Sequence, residues 1–244
     1  MIVGALRAVE RFLLPNACVV CSGAVGASDP DSLVCSPCRS RLRPVTRGCE
    51  RCWQPLPPVG PCRFCADWPV GFVQAASAVW MGVEAREIVH HLKYEGYTKL
   101  AELAAVTIAQ HVRILPRHAT LVPIPLGGRR RIERGYNQAA EIARALSKIW
   151  SAPVSESIIR RRRETVSQID LTPEEREQNM SSAFKAIRPI TAAPNVAILV
   201  DDVLTTGATL ASGASALLEA GWKEVWAVTF ARALPFVVRV ETQY

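Results

Sequence analysis

In the segment Ile198-Leu199-Val200-Asp201-Asp202-Val203-Leu204-Thr205-Thr206-Gly207-Ala208-Thr209-Leu210, an apolar run leads into two adjacent carboxylates and then into a loop of hydroxyls and glycine. Val196 to Val200 is short, β-branched and apolar, the pattern of a strand buried on both faces of a parallel sheet. Such a strand delivers Asp201 and Asp202 to its carboxyl end, where ligands of open α/β sheets collect. A helix starting just beyond turns unpaired N–H groups and the positive end of its dipole toward the same place. Gly207 lets the backbone approach an anion, and Thr205, Thr206 and Thr209 add hydroxyl donors, so the loop from Thr205 through Ala208 to Thr209 is a candidate phosphate cradle. Carboxylates beside that cradle repel a phosphate unless they face another part of the ligand, and ribose hydroxyls or a hydrated magnesium ion suit them. Phosphate on the loop with a diol on the acids describes a ribose 5-phosphate. An ordinary capped helix explains the hydroxyls but requires neither two acids nor this loop.

All eight cysteines lie before residue 66, as Cys18/Cys21, Cys35/Cys38, Cys49/Cys52 and Cys62/Cys65. Each pair has C-x-x-C spacing, which points two thiolates from one turn at a tetrahedral ion, so four pairs predict two structural zinc ions. Spacing favours consecutive ribbons, Cys18/Cys21 with Cys35/Cys38 and Cys49/Cys52 with Cys62/Cys65, and leaves a crossed arrangement open. A disulfide framework is the competing reading, disfavoured by the expectation of a reduced, cytoplasmic setting. The region is rich in Pro, Gly and Arg and poor in apolar residues, so metal must replace the missing core. Arg39, Arg41, Arg43, Arg47, Arg51 and Arg63, with Trp53 and Phe64, offer either a nucleic-acid surface or a solvated face with two packed aromatics.

Two further stretches concentrate positive charge. Pro125 to Asn137 reads as a loop carrying Gly127, Gly128, Arg129, Arg130, Arg131, Arg134 and Gly135, a second anion site suited to pyrophosphate because guanidinium forks match phosphate oxygens. Arg160 to Gln168, after an expected strand at 154–159, reads as a basic hood over diphosphate or as a contact to a nucleic-acid backbone.

The elements that must hold these residues follow from periodicity. Phe72 to Trp80 reads as a strand after a Trp68-Pro69-Val70-Gly71 linker. Ile88, Val89 and Leu92, then Leu100, Leu103, Ala104, Ile108 and Val112, mark two helices broken at Gly96. Thr120 to Ile124 is a short strand, Gln138 to Ile149 a helix with Ile142, Leu146 and Ile149 on one face, and Glu224 to Ala231 the last strand. Alternating strands and helices predict an α/β fold, an open, largely parallel sheet flanked by helices, over residues 71–244. Residues 1–70 are expected to form an N-terminal amphipathic helix and the small double zinc ribbon. At 244 residues with 49% hydrophobic content the chain is globular, and its net charge of +7 favours anionic partners without choosing between a phosphate ligand and nucleic acid. Met1 to Leu14 is interrupted by Arg7, Glu10 and Arg11, so neither a signal peptide nor a membrane span is expected there.

The Asp201–Thr209 segment resembles the phosphoribosyl pyrophosphate (PRPP) signature of type I phosphoribosyltransferases, a strand followed by two acids and a Thr-Thr-Gly-x-Thr loop. Nearly the whole chain is similar to the ComF family, a double zinc ribbon joined to a phosphoribosyltransferase-like domain. The likeness is carried by Leu14-Pro15, the cysteine pairs, Leu92-Lys93-Tyr94 with Gly96, Val122-Pro123-Ile124-Pro125 and Arg134-Gly135-Tyr136-Asn137-Gln138. Arg163, Thr165, Gln168, Arg176, Asn179, Phe184 and the Asp201 loop complete it. Trp80 stands where the family pattern has Tyr. The resemblance implies PRPP as ligand with magnesium and a role in handling single-stranded DNA during competence, alongside the DNA-uptake machinery. It leaves open turnover of PRPP as against a DNA-binding transport or scaffold role with a regulatory or vestigial pocket.

Overall fold

The computed structural model describes residues 17–26, 29, 31–46, 48–57, 60–112, 116, 118–162, 183–187 and 195–233. The expected N-terminal helix, Leu14-Pro15, and Arg163, Thr165, Gln168, Arg176 and Asn179 of the basic series lie outside the described residues. A short helix α1 (Ser36–Ser40) sits within the cysteine-bearing region, and the body contains β1 (Phe72–Trp80), α2 (Val83–Tyr94), α3 (Leu100–His111), β2 (Thr120–Pro123), α4 (Gly128–Arg134) and α5 (Gln138–Trp150). There follow β3 (Ile159–Arg161), β4 (Phe184–Ala186), β5 (Val196–Leu204), α6 (Ala208–Glu219) and β6 (Glu224–Arg232).

Four strands form a parallel sheet in the order β1-β6-β5-β2, and β3 and β4 make a separate antiparallel pair. Successive residues of a strand face opposite sides, so the apolar runs of β5 and β6 feed two cores at once. On one face Ile198, Val200, Val228 and Phe230 pack with Ile88 and Leu92 of α2, Leu100 and Ile108 of α3, and Ile142 and Leu146 of α5. On the other, Ala197, Leu199, Val225 and Ala227 pack with Leu210 and Leu217 of α6 and with Ile159 and Phe184 of the β3–β4 pair. Gly213 allows this last contact, since a Cβ there would lie 3.1 Å from Ile124 and 3.3 Å from Leu199.

Several expectations need correction. β5 does not stop at Val200: Asp201, Val203 and Leu204 still register with Thr229, Ala231 and Arg232 of β6. The acids therefore lie within the last turns of pleat, held by the sheet. The 125–137 segment is not all loop, because Gly128–Arg134 is helical with no buried residue and ends at Gly135, whose φ of +74° is the left-handed conformation that stops a helix. The strand expected at 154–159 reduces to a single parallel bridge between Leu121 and Val154, with pairing resuming only at Ile159. Ile149 is 45% exposed and does not share the buried stripe of α5.

The cysteine-bearing region closes the β1 edge of the sheet. Val45 N–H donates to Ala78 O, Trp80 N–H to Arg43 O and Ala75 N–H to Arg51 O, so backbone groups that would face solvent are paired. Cys18, Cys35 and Cys38 join the apolar cluster of the α2/α3/α5 face, whereas Cys52, Cys65 and Trp68 join that of the α6 face.

Candidate ligand cleft and its cysteine supports

At the carboxyl end of β5 a cleft of about 490 Å³ is lined by Asp201 and Asp202 of β5, Thr205 of the loop after it and Thr209 in the first turn of α6. Arg86, His90, Lys93 and Tyr94 of α2, Arg130 and Arg134 of α4, and Arg161 of β3 complete the wall. The two acids are not equivalent. Asp202 pairs with Lys93 Nζ at 2.8 Å, while Asp201 Oδ1 accepts from the Asp202 N–H at 2.8 Å. Burial, and next the charge of Asp202, push the Asp201 carboxyl up to about 7 against the opposing pull of Lys93 and Arg161.

Beyond the acids, Gly207 takes φ +81° as the N-cap of α6, and its carbonyl accepts from Ala211 N–H at 2.9 Å. Only glycine takes up this conformation without strain, and it turns the chain from β5 into the helix, whose first amide, Ala208 N–H, meets the Thr206 hydroxyl oxygen at 3.4 Å. Thr205, Thr206 and Thr209 are exposed, and Thr205 and Thr209 line the cleft.

The four arginines expected to act together are divided by α4. Arg130 and Arg134 line the acid cleft. Arg129 and Arg131 instead line a neighbouring groove of about 1080 Å³ with Arg144, Arg160, Arg161 and Arg162, and Arg161, Pro125 and Leu126 belong to both. Arg134 is anchored beside the cleft: it donates to Gln138 Oε1 at 3.0 Å, and its guanidinium lies 4.8 Å from the centre of the Tyr94 ring. The residues that follow explain that position. Tyr136 hydroxyl donates to Leu92 O, Asn137 Nδ2 donates to Ile124 O at 3.0 Å, and Asn137 Oδ1 caps α5 by accepting from Ala139 N–H at 3.1 Å.

Among the described residues the cysteines gather as Cys18, Cys21, Cys35, Cys38 and as Cys49, Cys52, Cys62, Cys65, each set of sulfurs within 4.8 Å of one another. This is the consecutive pairing. The Cys21–Cys35, Cys49–Cys65 and Cys52–Cys62 sulfurs are 3.7, 3.7 and 3.6 Å apart. A tetrahedral zinc with Zn–S bonds of about 2.3 Å requires sulfur separations of about 3.8 Å, so both groups fit the ion. Electrostatics at the second group agrees. Arg232 is fully buried, and no carboxylate pairs with it among the described residues. Four thiolates around a divalent ion carry the excess negative charge such a guanidinium needs. Burial pushes the Cys65 thiol up to about 11, a cost that metal removes by replacing the proton.

Sequence reasoning missed the residues joining this group to the cleft. The Arg51 guanidinium is held within the fold, donating to Phe72 O, Cys65 O, Trp68 O and Pro69 O at 2.8–3.1 Å. Trp53 is buried, Phe64 meets Trp68 edge-on, and Trp68 stacks on Phe72 at 4.5 Å between centroids, so Trp68 at the head of the expected linker is packed while Val70 is exposed. The adjacent Cys and aromatic residues were the available signal. Arg232 gave none, being one arginine at the end of an apolar strand.

No family model matches the chain. It is 29% identical over 215 residues, 85% of this chain and 93% of the relative, to a DNA utilization protein YhgH of Salmonella typhi. Competence protein F of Haemophilus influenzae is 34% identical over 130 residues, 53% of this chain and 57% of its own. Competence protein ComFC of Bacillus subtilis is 31% identical over 201 residues, 79% of this chain and 80% of its own. At that identity and coverage the chain is a member of the ComF family.

Proposed function

We propose that the cleft binds PRPP and that the protein serves DNA uptake or nucleic-acid metabolism. The carrying observation is that two carboxylates, a glycine-turned hydroxyl loop and five cations (Arg86, Lys93, Arg130, Arg134 and Arg161) line one cleft at the end of a central parallel strand. In this reading the Thr205–Thr209 loop holds the 5-phosphate through amides and hydroxyls, and Asp201 and Asp202 accept from the ribose hydroxyls. Arg130, Arg134 and Arg161 face the diphosphate. Magnesium suits the hard oxygens of Asp201 and Asp202 and, when bound, neutralises diphosphate charge. Turnover would break the bond from ribose C1 to the diphosphate oxygen, pyrophosphate leaving with the electron pair as an acceptor supplies a new one; the arginines would stabilise the departing charge. The PRPP reading is tested by calorimetric titration of PRPP with magnesium into wild type and an Asp201→Asn/Asp202→Asn variant. Heat of binding in the wild type that disappears in the variant is expected; absence of binding in both overturns it.

A second reading is favoured by the groove lined by Arg129, Arg131, Arg144, Arg160, Arg161 and Arg162. Glu141 and Glu156 also line it and pair with Arg144, and the positive charge of the other arginines suits a nucleic-acid backbone; relatives named for competence and DNA utilization point the same way. Single-stranded DNA affinity that survives the double acid substitution, with a steep salt dependence, supports a DNA-binding protein whose PRPP pocket is regulatory.

A further inference from the structure

The second cysteine group touches the phosphate loop from behind. A Cβ placed on Gly207 would lie 3.1 Å from Trp68 Cζ2, 3.3 Å from Phe64 Cε1 and 3.4 Å from Trp68 Nε1, so these two aromatics form the floor under the loop's turn. Phe64 stands between ligands Cys62 and Cys65, and Trp68 follows three residues later, its carbonyl gripped by Arg51. A second connection reaches the start of the loop. Leu204, the residue before Thr205, registers with Arg232, and Ala233 N–H donates to Leu204 O at 2.9 Å. Arg232 in turn donates to Cys52 O at 2.5 Å and to Gln54 Oε1 at 2.6 and 3.1 Å, with its guanidinium 4.6 Å from the Phe64 ring centre. Nothing comparable reaches the loop from the first group among the described residues, whose members Cys18, Cys35 and Cys38 pack in the apolar cluster on the opposite face of the sheet.

We infer that Phe64 and Trp68 are positioning residues for the phosphate loop, and that metal occupancy of Cys49, Cys52, Cys62 and Cys65 sets how well the loop receives an anion, whereas the first cysteine group does not act on it. The physical basis is rigidity. A glycine in the left-handed conformation is held there only by its surroundings, and amides aimed at a phosphate stabilise it most when their geometry is fixed beforehand. Without metal the 62–65 turn loses its closure, Phe64 is released, and the loop loses its floor.

The inference rests on Thr205–Thr209 being the anion loop, so the test separates the two. Amide hydrogen exchange over residues 205–211 is measured without ligand, and the Kd for PRPP with magnesium by calorimetry, in wild type, Cys62→Ser, Phe64→Ala and Cys21→Ser proteins of known zinc content. Phe64→Ala keeps all eight cysteines and covers the case in which Cys62→Ser does not fold. Cys62→Ser and Phe64→Ala are expected to speed exchange at 205–211 by about tenfold and weaken PRPP by a similar factor, with Cys21→Ser within about twofold of wild type in both. Unchanged exchange in Phe64→Ala, or an equal rise in Cys21→Ser, overturns the inference. Wild-type protein that binds no PRPP overturns the ligand assignment instead, while the exchange result still decides the coupling.

Discussion

Asp201 and Asp202 are neighbours with different electrostatic surroundings, and the difference is measurable. Asp202 has Lys93 beside it, whereas burial holds the Asp201 carboxyl up to about 7. An acid whose folded pKa exceeds its unfolded value of about 4 takes up protons on folding between those limits. Stability therefore falls as pH rises through that window: the cost of ionised Asp201 is absent below about pH 4 and complete above about pH 7. Asp201→Asn removes the cost, so its melting temperature should equal that of wild type near pH 4 and exceed it increasingly up to pH 7. Calorimetric scans of both proteins across that range check this; an offset that does not change with pH would assign the shift to something other than ionisation. The presence of the acids was legible in the sequence because a β-branched run ended in them. Their inequality was not, since Lys93 comes from a helix more than a hundred positions earlier.

At the scale of elements, the cleft depends on the junction between α4 and α5. Asn137 caps α5 with its oxygen and holds Ile124 O with its nitrogen, fixing the turn that presents Arg134. Asn137→Ala loses both contacts and should cost about 1–2 kcal/mol in urea unfolding. Asn137→Asp keeps the cap but not the donor to Ile124, so it should retain part of the stability while still weakening ligand binding through displacement of Arg134. Equal unfolding midpoints for the two variants would show that the cap contributes little. This junction also marks where sequence reasoning succeeded and failed. Helices α2, α3 and α5 and strands β1, β2 and β6 were readable because their apolar residues recur at the period of the element. α4 was not, since a helix with no buried residue has no such period, and its glycines and arginines look like loop. The division of the arginines was hidden with it: Arg130 and Arg134, four apart on one helical face, line the acid cleft, while Arg129 and Arg131 line the neighbouring groove.

Across the whole molecule, the cysteine groups act as replacement core. Purified protein should carry two zinc ions, and a strong chelator should lower its melting temperature by about 10 °C or more, because losing several kcal/mol in a chain of this size shifts the midpoint by roughly 2–4 °C per kcal/mol. Metal content well below two, with an unchanged melting curve after chelation, would refute a structural role. Grouping of the cysteines was legible because C-x-x-C pairs close in sequence close most simply with their neighbours. Their attachment to opposite faces of the sheet was not, since it depends on which edge strand the region meets.

That attachment bears on how the chain is made. β1 is the first strand of the sheet to leave the ribosome, yet its sheet neighbour is β6, the last, with Phe72 registered against Val225. Through most of synthesis one side of β1 has no strand to pair with. On the other side Arg43, Val45 and Arg51, translated before it, bond to its backbone at Trp80, Ala78 and Ala75. The cysteine-bearing region, translated first, is thus in place to cover one edge of β1 before the final strand arrives to complete the sheet.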